Sequence, residues 1–185
     1  MQRISTLLFL FVFCCATAVQ AQAQAPPPKP DPEVKKLHAD LGHWTYEGEA
    51  KPGPLGPGGK FTGEFDGRMI LGGFFFQGWG TDKGPAGEGR YLEIDGYDPV
   101  NKNFTSDIFD DDGSRFSGVL TLTGNTRTYV GKTVQPGKQY LYRGTLVLAA
   151  DLASGTYNEE ISLDGKTWVA YGESKWTKAK PAPKK

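Results

Sequence analysis

Apolar and polar residues alternate along most of the chain, in short runs that begin after Gly42. In one run, for example, Phe61, Phe65 and Met69 share a face, and Glu64 belongs to the opposite face. Alternation with a period of two is typical of a strand with one buried face. The pattern predicts ten strands, over residues 43–50, 60–71, 74–82, 88–98, 103–110, 115–123, 126–134, 139–149, 156–163 and 166–177.

The fourth predicted strand has a mixed composition. Leu92 and Ile94 alternate with Glu93 and Asp95, and Arg90 falls on the face of the two apolar residues. Because apolar side chains usually fill the interior, we expect Leu92 and Ile94 to be buried. Arg90 then becomes a basic residue to test as a partner for an anionic group.

A helical pattern precedes the strands. Asp31 is a suitable N-cap and Pro32 suits the first position of a helix. Val34, Leu37 and Leu41 follow at helical spacing, and Gly42 ends the pattern. We therefore predict one short amphipathic helix over residues 32–40.

Short turn sequences, such as those at Asp98-Pro99 and Asp164-Gly165, separate the strands. Successive antiparallel strands with short connections suit an all-β, up-and-down barrel, which has no free sheet edge. A two-sheet sandwich is the alternative. Glycines inside the strands, including Gly63, Gly118 and Gly144, favour the barrel because a closing sheet must coil sharply.

The first residues have the three parts of a secretory signal. Arg3 is followed by an apolar run from Ile4 to Val19 and by the small-x-Ala exit that ends at Ala21. The run of about 16 residues is shorter than the roughly 20 that span a bilayer. We therefore predict an exported protein, periplasmic or extracellular, with no transmembrane segment after signal cleavage. Both cysteines, Cys14 and Cys15, lie in this leader, so the mature chain has no thiol chemistry or disulfide.

Composition then divides the chain. Residues 1–21 form the signal, 22–31 a Pro-rich linker, 32–177 one β-barrel domain and 178–185 a basic tail that we expect to be disordered. The span 31–177 holds all 21 acidic residues but only 15 of the 21 basic ones. An acidic domain lacks the basic surface that nucleic acid requires.

Residues Leu41–Trp44 (LGHW) resemble the opening of calycin barrels, the lipocalins and their relatives. The resemblance implies that Trp44 plugs the closed end of the barrel, often against a basic residue from a late strand. Four segments in order are also similar to the DUF1579 family, a bacterial and mostly exported family of unknown function. They are Gly42–Glu49, Met69–Phe75, Gly96–Pro99 and Ser162–Trp168, with an end near Lys178. Phe74 and Lys178 depart from the family pattern, since a basic residue and an arginine are usual there.

The sequence contains no clear metal-binding or catalytic motif. His38 and His43 are the only histidines, and a haem-binding calycin relative would need one late in the chain. The run Asp110–Gly113 fits a tight hairpin better than a calcium loop, because Ile108 occupies a ligand position. Glu159 and Glu160 are adjacent on a strand and so point to opposite faces. We predict no catalytic residue, metal or cofactor, although other carboxylate pairs stay open.

Aromatic residues remain as candidates. Small barrels either fill their interior with side chains or hold one small ligand. We therefore predict a non-catalytic barrel that binds a small apolar or amphipathic molecule. A structural or interaction module of the envelope with a filled barrel is the alternative, and an isomerase or hydrolase is a third possibility. The candidate ligand-binding residues are Trp44, Phe65, Phe75, Trp79, Arg90, Phe116, Tyr140, Tyr142 and Trp168.

Overall fold

The computed structural model describes residues 27–135 and 137–179. The predicted signal, residues 22–26 of the predicted linker and residues 180–185 of the predicted tail lie outside the described residues. One helix of the 3₁₀ type spans Pro32–Asp40, and a short 3₁₀ turn spans Leu71–Gly73. The strands are β1 Gly42–Ala50, β2 Gly59–Ile70, β3 Phe75–Gly84, β4 Gly87–Asp98, β5 Asn103–Asp110, β6 Arg115–Thr123, β7 Thr126–Gln135, β8 Lys138–Leu148, β9 Ser154–Ser162 and β10 Val169–Lys178.

The ten strands form a closed antiparallel barrel in which each strand pairs with the next along the chain. β10 closes the barrel against β1, with Trp44 opposite Lys178 and Ala50 opposite Gly172. Closure leaves no unpaired sheet edge. The predicted all-β up-and-down barrel is therefore confirmed, and the sandwich is excluded.

The N-terminal helix covers one end of the barrel, which we call the closed end. Asp31 caps the helix by accepting a hydrogen bond from the Glu33 amide, and Val34 and Leu37 are buried. The indole Nε1 of Trp44 donates to the carbonyl of Asp40 at 3.1 Å. These contacts fix the helix against the first strand.

Lys178 completes the closed end. It is the last residue of β10, whereas the predicted tail begins at this residue. Its Nζ lies 5.0 Å from the centre of the Trp44 ring and donates to the carbonyl of Ala39. The basic residue from a late strand that the calycin resemblance implies is therefore present, as lysine.

Inward-facing glycines make room for aromatic rings that lie across the neighbouring strand. A Cβ atom on Gly63 would lie 2.2 Å from the Tyr46 ring, and one on Gly144 would lie 2.1 Å from the Tyr157 hydroxyl. The strand glycines therefore serve ring packing as well as coiling of the sheet.

The β9–β10 loop explains why β10 begins three residues later than predicted. The Asp164 carboxylate accepts hydrogen bonds from the amides of Lys166 and Thr167, which take the place of strand pairing. These backbone hydrogen bonds, that from Thr167 first, lower the pKa of Asp164 to about 2. Within residues 27–135 and 137–179, the structure contains no helix that is both long and apolar enough to cross a bilayer.

Candidate functional site

The barrel encloses a cavity of about 540 Å³. It extends from Asp40 and Trp44 at the closed end to the segments 55–59 and 84–90 at the other end, which we call the mouth. The β3–β4 and β5–β6 hairpins both contribute to the mouth, because antiparallel strands return to that end. The barrel is therefore not completely filled by its own side chains.

Aromatic rings form much of the wall. Tyr46 and Trp176 stack with centroids 4.2 Å apart, and Phe65 meets Trp176 edge to face at 5.7 Å. Further round the barrel, Phe116 packs against Tyr142 at 5.2 Å. Such walls offer both large apolar area and ring faces.

Two carboxyl groups of β4, which we call the deep pair, point into the barrel. Glu93 is 7% exposed and Asp95 is 2% exposed, and both line the cavity. Burial, with the nearby Asp40 charge, raises the pKa of Glu93 to about 7. Burial, with the Glu93 charge, raises the pKa of Asp95 well above its usual range. The deep pair is therefore a place where carboxyl groups hold protons near neutral pH.

Asp95 and its neighbour Ser106 each carry a buried side-chain oxygen that lacks a hydrogen-bond partner in the described part of the chain. Among the described residues, Asp95 Oδ1 and Ser106 Oγ have no partner, although both atoms are buried. Buried polar atoms are normally satisfied, so each exception calls for a physical explanation.

Further carboxyl groups face the cavity nearer the mouth. Asp82 accepts a hydrogen bond from the Tyr46 hydroxyl at 2.5 Å, and Glu159 accepts one from Tyr142 at 2.6 Å. Burial raises the pKa of both carboxyls, and the tyrosine hydrogen bonds oppose it. At the mouth, desolvation followed by the charges of Asp112 and Asp82 raises the pKa of Asp110 to about 6.

Tyr171 shows that the upper carboxyls surround one volume. Burial is the first cause of the rise in its pKa to about 12, followed by the charges of Glu159, Asp82 and Asp110. Its phenol reaches the cavity at a bulge between Ala170 and Gly172 in β10. These three carboxyls therefore face the same part of the cavity.

A different arrangement holds at the closed end. Asp40 accepts a hydrogen bond from Arg127 Nε at 2.8 Å, and the Arg127 side chain is 3% exposed. Burial raises the pKa of Asp40, while the charges of Arg127 and Lys178 act in the opposite direction. This carboxyl, unlike the deep pair, has a buried cation of its own.

A family model described as "Protein of unknown function (DUF1579)" matches residues 29–172, which is most of the chain. The chain belongs to the DUF1579 family. A search of curated proteins finds no match. Among solved structures, the crystal structure of Rv2717c from M. tuberculosis is similar, with a TM-score of 0.59 and 12% identity over 82% of this chain and 100% of that one. At this identity the likeness supports the fold alone.

The structure brings some of the predicted ligand-binding residues of this DUF1579 barrel together. Trp44, Phe65, Phe116 and Tyr142 line the cavity. Tyr140 is buried on the inner face of β8 but lies outside the cavity lining.

Four of the predicted residues lie elsewhere. Phe75 and Trp79 are on the outer face of β3, 39% and 49% exposed. Trp168 precedes β10 and packs against the guanidinium of Arg143 at 4.4 Å, instead of packing inside the barrel. Arg90 lies at the rim of the mouth, where its side chain is 66% exposed and pairs with Asp111 at 3.1 Å.

The face of β4 is the main correction. Arg90, Leu92 and Ile94 do share a face, but that face is the outer one, opposite Trp79 and Phe109 on the adjacent strands. Glu93 and Asp95 point inward instead, with Tyr91 and Tyr97 on the same face. Alternation identified the two faces of β4 correctly, but the more hydrophobic face proved to be the outer one instead of the inner one. The row Tyr-x-Glu-x-Asp-x-Tyr, from 91 to 97, was the available signal for the deep pair.

Other predictions on single residues have clearer outcomes. Glu159 points into the cavity and Glu160 points outward to pair with Arg143, so their opposite faces are confirmed. His43 lies outside the cavity, with Nδ1 3.0 Å from Asp66 Oδ1. Within residues 27–135 and 137–179, no group of three His, Cys, Asp or Glu side chains is arranged to hold a metal ion.

Proposed function

We propose that this protein is an exported binding protein that holds one small molecule with an apolar body inside its barrel. The observation that carries the proposal is the cavity of about 540 Å³. Ligand pockets typically measure about 300–1,000 Å³ and combine apolar walls with a few convergent polar groups. Here aromatic rings supply the walls, and tyrosine hydroxyls and carboxyls supply the polar groups.

The cavity also argues against the filled-barrel module. A barrel that served only as a scaffold gains stability from complete packing, since interiors are normally close-packed. A cavity beside buried carboxyl groups lowers the stability of the fold. A binding role gives both features a purpose.

Export is part of the same proposal. The leader over residues 1–21 and the absence of cysteine after Ala21 support it. Amino-terminal sequencing of the protein recovered from the expression host tests it. We expect the mature chain to begin at Gln22, and recovery of intact Met1 in the cytoplasm would contradict export.

Native mass spectrometry of gently purified mature protein tests ligand binding. We expect a population heavier than the chain by the mass of one small molecule. Thr133 lines the cavity, so Thr133→Trp should fill it and abolish that population. Thr156→Trp is the matched control, because Thr156 is exposed on the outer face of β9. Ligand-free wild-type protein that also binds none of the probes named below would contradict the function.

A catalytic role is the second candidate, and the deep pair is the observation that favours it. A carboxyl with a pKa near 7 is suited to proton transfer at neutral pH. If the bound molecule is converted, Glu93→Gln should stop conversion while the molecule still binds. Recovery of the molecule unchanged after incubation with wild-type protein would exclude this candidate.

A further inference from the structure

The charges that face the cavity are strongly one-sided. The inward carboxyls of Asp82, Glu93, Asp95 and Glu159 have no ion-pair partner among the described residues. The one basic residue in the described lining is Arg90, at the rim, and Asp111 already pairs with it. The interior therefore lacks a cation of its own above the closed end.

Such an arrangement is costly for the empty protein. Taking a carboxylate out of water without a counter-charge costs several kcal/mol, or the group stays protonated instead. Two tyrosine hydroxyls offset part of this cost, at Asp82 and at Glu159. In the deep pair, Asp95 Oδ1 has no hydrogen-bond partner among the described residues. A bound cation would remove the cost by supplying both charge and hydrogen-bond donors.

Asp95 provides an observation that does not depend on counting charges. Its Oδ1 atom is buried and without a partner, although the residue lines a cavity with room for a ligand. An acceptor in this state needs a donor, and an ammonium group offers up to three. A carboxylate ligand offers none, and it would be repelled by the deep pair once Glu93 is ionised.

The aromatic wall suits the same ligand. Tyr46, Trp176 and Phe65 line the cavity, and aromatic rings attract cations as well as apolar groups. The protein uses this contact elsewhere, where Lys178 lies over Trp44 and Arg143 over Trp168. No aromatic wall of this kind is needed to hold an inorganic metal ion.

We propose that the cavity binds an organic cation, an ammonium compound whose charge lies beside Glu93 and Asp95 and whose apolar body contacts the wall of Tyr46, Trp176 and Phe65. The inference rests on the binding function proposed above and names the chemical class of the ligand.

Two sets of matched probes test the proposal by isothermal titration calorimetry on the mature protein. One set is phenethylamine, phenethyl alcohol and hydrocinnamate, and the other is octylamine, octanol and octanoate. Each set keeps an apolar body and changes the charge from positive to neutral to negative. We expect the amine to bind roughly 10- to 100-fold more tightly than the alcohol, and the carboxylate not at all.

The outcomes separate the two proposals. If the alcohols bind as tightly as the amines, or the carboxylates bind best, the cation inference is overturned and the binding function stands. If no probe of either set binds, the cation inference is overturned, and the binding function is overturned with it when the wild-type protein is also ligand-free in native mass spectrometry. Selective binding of the amines supports both.

Two isosteric variants locate the charge. Glu93→Gln and Asp95→Asn should each weaken amine binding roughly tenfold and leave alcohol binding unchanged. Glu64→Gln is the matched control, because Glu64 is exposed on the outer face of β2 and the substitution makes the same exchange of a carboxyl for an amide. Equal weakening by the control would show a long-range charge effect and overturn the assignment to the deep pair.

A pH series on wild-type protein covers the case in which an interior variant does not fold. The probe is phenethyltrimethylammonium, whose charge does not change with pH. Its affinity should rise from pH 5 to pH 8 as Glu93 ionises, while that of phenethyl alcohol stays flat. The titratable groups that face Glu93 are Asp40 on the helix, Asp95 and Tyr91 on β4, Tyr129 on β7 and Tyr157 on β9. Burial raises the pKa of the three tyrosines well above its ordinary value, so they stay protonated between pH 5 and pH 8. Affinity for the cation that does not change with pH would overturn the proposal.

Discussion

The closed end and the cavity bury carboxyl groups in opposite ways. At the closed end Asp40, the last residue of the helix, lies 2.8 Å from Arg127, with Lys178 nearby. In the cavity Glu93 and Asp95 are buried, line an open volume and have no ion-pair partner among the described residues. At the closed end the protein itself supplies the counter-charge, which is Arg127. Where it leaves a carboxyl unpaired, it also leaves room for something else to supply one.

The largest effect is expected from removing the buried cation. Arg127→Met should lower the free energy of unfolding by about 3–5 kcal/mol, because it leaves Asp40 without its partner. Arg143→Met is the control, since that residue forms a more exposed pair with Glu160 and should lose less than about 1 kcal/mol. Urea denaturation measures both. Equal losses would show that the closed end does not depend on its ion pair.

The same substitution of acid by amide should have opposite signs in the two regions. Asp40→Asn leaves a buried, unpaired arginine and should destabilise by about 3 kcal/mol. Glu93→Gln removes an unpaired carboxyl and should stabilise the empty protein at pH 8 by roughly 1–3 kcal/mol. Urea denaturation of both variants beside wild type at pH 8 decides the point. Loss of stability in both would contradict the contrast between the regions.

Stability should also fall as pH rises. Because burial raises the pKa of Glu93 to about 7, the folded protein keeps a proton that the unfolded chain releases near its ordinary pKa of 4.5. The unfolded state therefore binds fewer protons between these values, and stability declines as pH increases. We expect a loss of roughly 2–3 kcal/mol between pH 5 and pH 8 in urea denaturation. A flatter profile in Glu93→Gln would assign the effect, and rising stability over this range would refute it.

The smallest effect is expected from removing the Tyr142 hydroxyl, which bonds to Glu159 and Tyr157. Tyr142→Phe removes the hydrogen bonds to Glu159 and Tyr157 but keeps the ring. It should cost about 1–2 kcal/mol and raise the pKa of Glu159 further, because that hydrogen bond opposes the effect of burial. Tyr97→Phe is the control, since Tyr97 packs against Phe104 and has no side-chain hydrogen bond among the described residues. An unchanged Glu159 titration would show that Tyr142 does not support that carboxyl.

Strand positions could be predicted from the sequence because alternation and turn residues are local signals. The helix over residues 32–40 and eight of the ten strands begin within one residue of the predicted start, and the calycin-like opening at Trp44 was informative about the closed end. β10 differs because Asp164 binds backbone amides that alternation cannot reveal.

The direction of each face was harder to predict. In β2 the apolar face of Phe61 and Phe65 is the inner one, as expected. In β4 the inner face is that of Glu93 and Asp95, because a barrel with a cavity does not need apolar residues at every inward position. Trp79 and Phe75 lie on the outer face of β3 although they were predicted to bind the ligand. The size of an aromatic ring alone does not tell whether it lines the cavity or lies on the outer surface of the barrel. Locating the candidate site therefore required the register of all ten strands in the closed barrel.

The side-chain carboxyl of Glu93 gives the most direct test of the contrast. Its titration can be followed by carbon-detected NMR in the empty mature protein and again with saturating phenethyltrimethylammonium. We expect a midpoint near pH 7 in the empty protein and a clear fall when the cation is bound. A midpoint near 4.5 that the cation does not move would contradict the account of an unpaired carboxyl that awaits a positive ligand.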